Sequence, residues 1–122
     1  MRIVFLVLSL IGVSFAMAAH KFHHPGEFLK AVAVAKKPGK KTYIEFCANC
    51  HAIEPLINLG APRAGVAKDW VVRLNQPSER LIKHVFEGHG AMPARGGCFE
   101  CSDDVLISAI NYMLPASKKL AR

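Results

Sequence analysis

The sequence predicts an all-α protein of three or four short helices joined by long loops. Apolar residues recur at helical spacing in several segments, and no stretch keeps the strict alternation of a half-buried strand. Glycine and proline, which interrupt regular structure, are concentrated between these segments. The 122 residues are enough for one domain with its own core and too few for two.

Two of the predicted helices lie before residue 75. The first starts at Lys40, and its apolar side carries Tyr43, Ile44, Phe46 and Cys47. A helix-poor stretch over residues 54–68 follows, with breakers at Pro55, Gly60, Pro62 and Gly65. Residues 69–74 then form a short apolar turn or helix.

Two helices with clearer ends follow. Ser78 has the side chain of an N-cap, and the helix after it carries an apolar stripe and ends at Gly88. A loop rich in glycine and proline spans residues 89–97. Ser102 caps the last helix, which Pro115 ends and whose first turn holds two aspartates, where negative charge is favoured. The predicted buried face of that helix comprises Leu106, Ile107, Ile110, Met113 and Leu114.

Residues 1–18 are predicted to be a cleaved signal peptide. Arg2 precedes an uncharged apolar run, and Ala16-Met17-Ala18 matches the small-residue box that a signal peptidase reads, so we expect cleavage after Ala18. The alternative is an uncleaved membrane anchor, for which the run is at the short limit of a spanning helix. In either case the rest of the chain is exported, and its four cysteines fold in an oxidising compartment, the bacterial periplasm.

A basic extension, residues 19–38, precedes a domain predicted over residues 39–122. Residues 26–37 fit a short helix, residues 31–35 fit a strand equally well, and the periodicity does not decide between them. Three histidines of the extension resemble a weak metal site, but solvated side chains are the expected interpretation because no fourth ligand can be named. They are His20, His23 and His24.

The motif with the clearest chemistry is Cys47-Ala48-Asn49-Cys50-His51. Two thiols one helical turn apart can add to the two vinyl groups of a haem, and the adjacent histidine then offers a nitrogen to the iron. A zinc ribbon fits poorly, because the 47 residues from 51 to 97 separate this pair from the next one, against about 15–20 in such sites. A thioredoxin-like dithiol would need a βαβ context. The motif therefore predicts one covalently attached haem.

Met92 is the predicted second ligand of the haem iron, with His84 and His89 as competitors. It lies in an irregular loop that could carry its thioether over the open haem face, whereas Met113 falls in phase with the apolar face of the last helix. A thioether favours Fe(II), so ligation by His51 and Met92 implies a comparatively high reduction potential and no open coordination position. These are properties of an electron carrier.

A second cysteine pair, Cys98-Phe99-Glu100-Cys101, remains once the first pair is assigned to haem. In an oxidising compartment we expect these two thiols to bond to each other. A redox-active dithiol is the alternative, because C-x-x-C pairs are often reactive.

Three blocks of the sequence together resemble the class I c-type cytochromes, and within them the cytochrome c5 subgroup, over about residues 39–115. The blocks are the haem motif, residues 91–98 (AMPARGGC) and residues 101–104 (CSDD). The resemblance implies a small class I cytochrome c fold, with three to four short helices and loops wrapped around one covalent haem. It makes Cys47 and Cys50 the thioether residues, His51 the proximal ligand, Met92 the distal ligand, and Cys98 and Cys101 a disulfide.

The resemblance also assigns supporting residues around the haem. The carbonyl of Pro62 would accept the Nδ1–H bond of His51, which raises the basicity of the ligand. Trp70 is similar to the indole that caps a haem propionate. Gly39 and Tyr43 resemble first-helix positions that pack against an aromatic residue of the last helix, here Tyr112. An apolar wall that excludes water from the haem is expected from Leu56, Leu59, Leu74, Ile82 and Val85.

These observations predict a periplasmic one-electron carrier, not an enzyme. The formal net charge of +7 favours docking to acidic redox proteins, such as a terminal oxidase or a cytochrome bc complex. Nucleic acid is discounted because it is not a routine partner in that compartment, and peripheral association with a membrane is left open. The alternatives are a small haem peroxidase or ligand sensor with a displaceable Met92, and a thiol oxidoreductase or metal-binding module without haem.

Overall fold

The computed structural model describes residues 22–120, and within them the chain is helical without a strand. The α-helices of this part of the chain are α1 (Pro25–Ala33), α2 (Pro38–Thr42), α3 (Ala48–His51), α4 (Ala67–Leu74), α5 (Ser78–Glu87) and α6 (Asp103–Met113). A π-helical turn, Tyr43–Cys47, joins α2 to α3 without a break, and a 3₁₀ turn occupies Ala94–Gly97. The predicted all-α class is confirmed, with α1 added in the extension. The predicted signal peptide and its cleavage site lie outside the described residues.

The helical stretch from α2 to α3 crosses α6 at close range. Gly39 permits this approach, because a Cβ atom there would collide with the carbonyl of Ser108 and lie 3.0 Å from the Ala109 nitrogen. One turn further on, the rings of Tyr43 and Tyr112 contact each other with their centroids 5.0 Å apart. The contact of Tyr43 with Tyr112 is the one that the resemblance implies, whereas Gly39 meets the backbone of Ser108 and Ala109.

The apolar core consists of two clusters, and α6 contributes to both. The first contains Phe28 and Val32 of α1 together with Leu106 and the second cysteine pair. The second contains the following buried residues: Trp70, Ile110, Met113 and Leu114. Because successive turns of α6 face different neighbours, this helix holds the extension on one part of its surface and α4 on another.

The extension forms a helix that packs on the rest of the protein. Residues 25–33 are helical, with Pro25 in the first turn, where its missing N–H costs nothing. Phe28 and Val32 of this helix are buried. His23 lies between the carboxylates of Glu45 and Glu100. The expectation that the histidines of this segment are merely solvated is therefore wrong for His23.

The ends of α5 and α6 follow partly from the predicted signals. The hydroxyl of Ser102 accepts a hydrogen bond from the Val105 nitrogen at 3.4 Å, so the predicted cap of α6 is present. Ser78, however, is the first helical residue of α5 and makes no capping bond. The predicted N-cap is wrong, because Pro77 takes that position with an extended backbone. Gly88 ends α5 with a positive φ of 87°.

Candidate cofactor site

A cavity of about 830 Å³ lies at the centre of the described structure. Its wall is formed by the helical stretch of the C-x-x-C-H motif, residues 57–62, α4, α5, residues 89–96 and α6. The volume is within the range of cofactor and small-ligand sites in proteins. Cys47, Cys50, His51 and Met92, which the sequence separates by up to 45 positions, all line this one cavity.

The two cysteines of the motif are free thiols at the cavity wall. They stand one helical turn apart across the junction of the π-helical turn and α3. Burial raises the pKa of the Cys47 thiol to about 11, with a further contribution from Cys50. Because the reactive species in thiol exchange is the thiolate, this burial makes Cys47 a poor nucleophile at neutral pH.

The ring of His51 is oriented by its neighbours. The side chain is 8% exposed, and its Nδ1 lies 2.8 Å from the carbonyl oxygen of Pro62. A carbonyl only accepts, so Nδ1 must be the donor and the neutral ring keeps its lone pair on Nε2. His51 thereby has the tautomer and the fixed orientation that a metal-ligating histidine requires. The contact that the resemblance implies for Pro62 is present.

Met92 reaches the cavity from a loop that is fixed mainly through its backbone. Its nitrogen and its carbonyl oxygen are paired with the carbonyl and the nitrogen of His89, each at 3.0 Å. The competitors His84 and His89 line the same cavity, with their rings stacked at a centroid distance of 4.0 Å. Burial, and then the charge of His89, lower the pKa of His84.

Trp70 lines the cavity, but its indole N–H is engaged elsewhere. The side chain is 3% exposed, and Nε1 donates to the carbonyl of Arg63 at 2.8 Å. Arg63 is itself held by Asp69 through a 2.7 Å ion pair, and the hydrogen bonds from Arg63 lower the pKa of Asp69 to about 2. A propionate cap would need this same N–H, so the structure does not support that role for Trp70.

The apolar wall differs from the expected one. Leu59 and Val85 line the cavity as expected. Leu56 is 87% exposed, and Leu74 and Ile82 pack around the Trp70 cluster instead. The apolar wall residues missed from the sequence include Phe46, Ile57, Val72, Leu81, Ile110 and Met113. For the residues of α4, α5 and α6 the error is one of helix phase, because an apolar stripe wide enough to cover a core faces two neighbours at once. Leu56 and Ile57 lie outside the helices, in the irregular segment after α3.

Two polar residues in and after α4 also line the cavity and were missed from the sequence. Arg73 lies in α4 three residues after Trp70, which brings both to one side of the helix, and Gln76 follows two residues after the helix ends at Leu74. Among the described residues they place a guanidinium and an amide at an otherwise mainly apolar wall. Their spacing of three and six residues from Trp70 is the feature of the sequence that could have indicated these two positions.

The second cysteine pair is buried and lies apart from this cavity. Cys98 and Cys101 form a disulfide, with their Cα atoms 5.4 Å apart. Their exposed fractions are 0% and 3%, and Phe28 and Val32 pack over them. A redox-active role would require access to a partner thiol, so the buried position favours the structural interpretation.

Two further observations concern residues 22–120 only. No group of three or more histidine, cysteine, aspartate or glutamate side chains is placed there to hold a metal ion. The weak metal site considered from the sequence includes His20, which lies outside the described residues, so the expectation that these histidines bind no metal stays a prediction. None of the described helices is long and apolar enough to cross a membrane.

Comparison with known proteins places the chain in a family. A sequence model described as cytochrome C oxidase, cbb3-type, subunit III matches residues 34–113. Cytochrome c-555 of Chlorobaculum tepidum is 29% identical over 118 residues, covering 93% of this chain and 97% of that protein. Cytochrome c5 of Azotobacter vinelandii is 33% identical over 79 residues, covering 63% of this chain and 92% of that protein. No solved structure gave a significant match.

The chain therefore belongs to the class I c-type cytochromes. Within that class it is c5-like, since a second cytochrome c5, from Ectopseudomonas mendocina, is 34% identical over 67 residues, covering 53% of this chain and 77% of that protein. As a member of this class it is an electron carrier with a covalently attached c-type haem. The cavity fits such a group, because it combines two free thiols, an oriented imidazole and a thioether with a mainly apolar wall.

Proposed function

We propose that the protein is a periplasmic one-electron carrier with a single haem. Cys47 and Cys50 would hold it through thioether bonds, and His51 and Met92 would ligate its iron. The observation that carries this proposal is the convergence of these four side chains on one cavity, with the ring of His51 already oriented by Pro62. When the haem is bound, its iron would supply reversible one-electron chemistry.

The residues of the chain set the conditions for that chemistry. The Pro62 carbonyl draws on the Nδ1–H of His51 and makes the ring a stronger donor to a metal. Phe46, Ile110 and Met113 present apolar surface to the cavity, and this surface excludes water from the iron. The guanidinium of Arg73 is the cation of α4 at the cavity wall, and we propose that it compensates a haem propionate in place of the engaged indole of Trp70.

We further propose that the basic surface docks on acidic redox proteins, such as a terminal oxidase or a cytochrome bc complex. Five exposed lysines in and around α1 and α2 form the densest group of like charge in the described chain, and they are Lys30, Lys36, Lys37, Lys40 and Lys41. Such encounters are weak and steered by charge, so their rate falls steeply with ionic strength. The description of the matching family as an oxidase subunit supports an oxidase among the partners.

We retain the proposed organisation of the full chain, with a signal peptide over residues 1–18 and cleavage after Ala18, an extension over residues 19–38 and the cytochrome domain over residues 39–122. Export to the periplasm is required by this proposal, because haem attachment and the disulfide both need that compartment. Mass spectrometry of the protein isolated from periplasm tests both points. A chain starting at Ala19 and heavier by one haem is expected, and an intact N-terminus would favour the anchored alternative.

Absorption spectra in both oxidation states test the proposed ligands. The oxidised protein should show the iron–thioether charge-transfer band, and the reduced protein the spectrum of a six-coordinate c-type haem. A protein with haem but without that band would favour the second candidate, a small peroxidase or ligand sensor with a displaceable Met92. The observation that supports this second candidate is that His84 and His89 stack on each other and line the same cavity.

A further inference from the structure

Arg95 has an unusual backbone conformation three residues after Met92. Its φ of 57° lies in the left-handed region, and it is the non-glycine residue with positive φ among residues 22–120. The next two residues, Gly96 and Gly97, are also left-handed, with φ values of 60° and 87°. A side chain in a place where the chain otherwise uses glycine indicates that the surrounding contacts hold it there.

The guanidinium of Arg95 contacts three different parts of the protein. Its Nη2 donates to the carbonyl oxygen of Cys101 at 2.6 Å and to the carboxylate of Asp103 at 2.9 Å. Its central carbon lies 5.4 Å from the ring centroid of Phe86. The disulfide turn, the first turn of α6 and the last turns of α5 are thus tied to one rigid, planar group. Its Nε is buried without a hydrogen-bond partner, so the hydrogen bonds that hold the Arg95 side chain come from Nη2.

The chain between Met92 and Arg95 is short and tightly folded. The Gly96 nitrogen donates to the Pro93 carbonyl at 3.1 Å, and the Cys98 nitrogen donates to the Arg95 carbonyl at 3.1 Å, so the intervening chain is folded into tight turns. On the other side of Met92, a Cβ atom at Gly88 would lie 2.9 Å from the Met92 carbonyl oxygen. The loop is therefore held at both ends, by close backbone approach before Met92 and by Arg95 after it.

We infer that Arg95 is a positioning residue for Met92, which strengthens the bond between the thioether and the haem iron by fixing the loop that carries it. This inference rests on the proposed ligation by Met92. A thioether is a weak ligand, so the fraction of protein in which it is bound depends on how much conformational freedom the loop must lose. Contacts that restrict the loop beforehand reduce that loss, and an external ligand then competes less well.

Titration of the haem-loaded, oxidised protein with imidazole measures this competition. Arg95→Gln keeps much of the side-chain length and removes the guanidinium, and we expect it to raise the imidazole affinity about tenfold, or ~1.4 kcal/mol. Arg95→Lys keeps the charge without the planar fork, and we expect a rise between twofold and fivefold. Should the glutamine variant fail to fold, the lysine variant carries the test by itself.

The matched control is Asn111→Ala, which loses the hydrogen bonds between its side chain and the backbone of Leu120. Asn111 does not line the cavity, and it lies eight residues beyond Asp103 on α6, or about 12 Å along the helix axis. We expect it to lower the melting temperature while leaving the imidazole affinity unchanged within twofold. If Arg95→Gln acted only through a general loss of stability, the control variant would also raise the imidazole affinity. That result would overturn the inference.

The outcomes also separate this inference from the proposed function. If the oxidised wild-type protein lacks the iron–thioether band, Met92 is not an iron ligand. That result would reject both the proposed ligation and the positioning role of Arg95. With the band present, an imidazole affinity in Arg95→Gln equal to that of the wild type would reject the role of Arg95 alone. With the band present and the affinity raised in the two Arg95 variants but not in the control, the positioning role stands.

Discussion

His51 and Met92 are held at the cavity by different means. The ring of His51 is tied by its own side chain to the Pro62 carbonyl at 2.8 Å. Met92 is positioned through its backbone pairing with His89 and through the chain on either side. Because a side-chain bond acts on the ligating ring itself, we expect the histidine bond to survive changes that weaken the methionine bond.

At the residue scale, Met92→Ala should lower the reduction potential. Loss of the thioether removes a ligand that favours Fe(II), and we expect a fall of more than about 60 mV, which is a tenfold change for one electron. Redox titration followed by absorbance measures it. Leu106→Met is the control, because Leu106 is buried in α6 away from the cavity and the change nearly conserves its volume. A potential unchanged in Met92→Ala would show that Met92 is not an iron ligand.

Some contacts that hold the helices together involve residues whose packing the sequence pattern does not indicate. Gly39 lies in a short helix of mainly polar residues, yet its lack of a side chain lets α2 touch α6. The extension, which falls largely outside the match to the family model, covers the buried disulfide with Phe28 and Val32. Both contacts join segments that are far apart along the chain.

At the element scale, Gly39→Ala should destabilise the protein strongly. The new methyl group would meet the Ser108 carbonyl, and separating two helix backbones costs at least the ~1–3 kcal/mol of an overpacked core. Denaturant unfolding of the haem-loaded protein measures the loss. Gly26→Ala is the control, since that glycine is also helical and nothing lies within 4 Å of the added Cβ atom. Equal stability of the two variants would contradict the close crossing.

The attachment of α1 should depend on pH through His23. Hydrogen bonds to Glu100 and then Glu45 raise the pKa of His23 in the folded protein. Its contribution is therefore fully present below the ordinary histidine pKa of about 6.5 and is lost as the pH rises through the raised value. Other charged or titratable groups near this segment are His24, Glu27 and Lys41.

Hydrogen exchange of the α1 amides, measured at several pH values, tests this dependence. Protection in the wild type should fall as the pH rises above the ordinary histidine pKa of about 6.5. It should fall more than in His23→Gln, which lacks the titrating ring. His24→Gln serves as the control, because the carboxylate contacts belong to His23. The same pH profile in His23→Gln and in the wild type would show that His23 does not hold α1.

On the scale of the whole molecule, the haem completes a core that the chain alone leaves open. The two apolar clusters flank a cavity of about 830 Å³ in a small domain, and small domains without a staple are marginal. When bound, the haem adds apolar surface to this cavity, and in the proposed ligation it would also link the C-x-x-C-H helix to the Met92 loop. Stability and redox function therefore depend on the same group.

The double variant Cys47→Ser, Cys50→Ser, which cannot form thioether bonds, should lose cooperative unfolding. We expect helical far-UV circular dichroism with a weak near-UV signal and dye binding, as in compact states without fixed packing. The control is Cys98→Ala, Cys101→Ala, because the disulfide closes a very short loop and its removal leaves the haem bonds intact. A haem-free variant that unfolds as cooperatively as the wild type would contradict this dependence.

The sequence was sufficient for several features that depend on local chemistry. The C-x-x-C-H order, the Met92 loop between two helices and the Ser102 cap are encoded within a few residues each, and the structure places them as expected. The all-α class followed in the same way from helical periodicity. At the start of α5, Pro77 takes the N-cap position that the sequence assigned to Ser78, so the observed cap lies one residue before the predicted one.

Only the tertiary structure decided which face of each helix meets the haem site. It placed Ile110 and Met113 at the cavity and left Leu56 in solvent, although all three are apolar. It also folded the extension onto the disulfide and turned the indole of Trp70 towards Arg63. The physical reason is that periodicity records that a face is buried, whereas the partner it is buried against depends on contacts between segments distant in sequence.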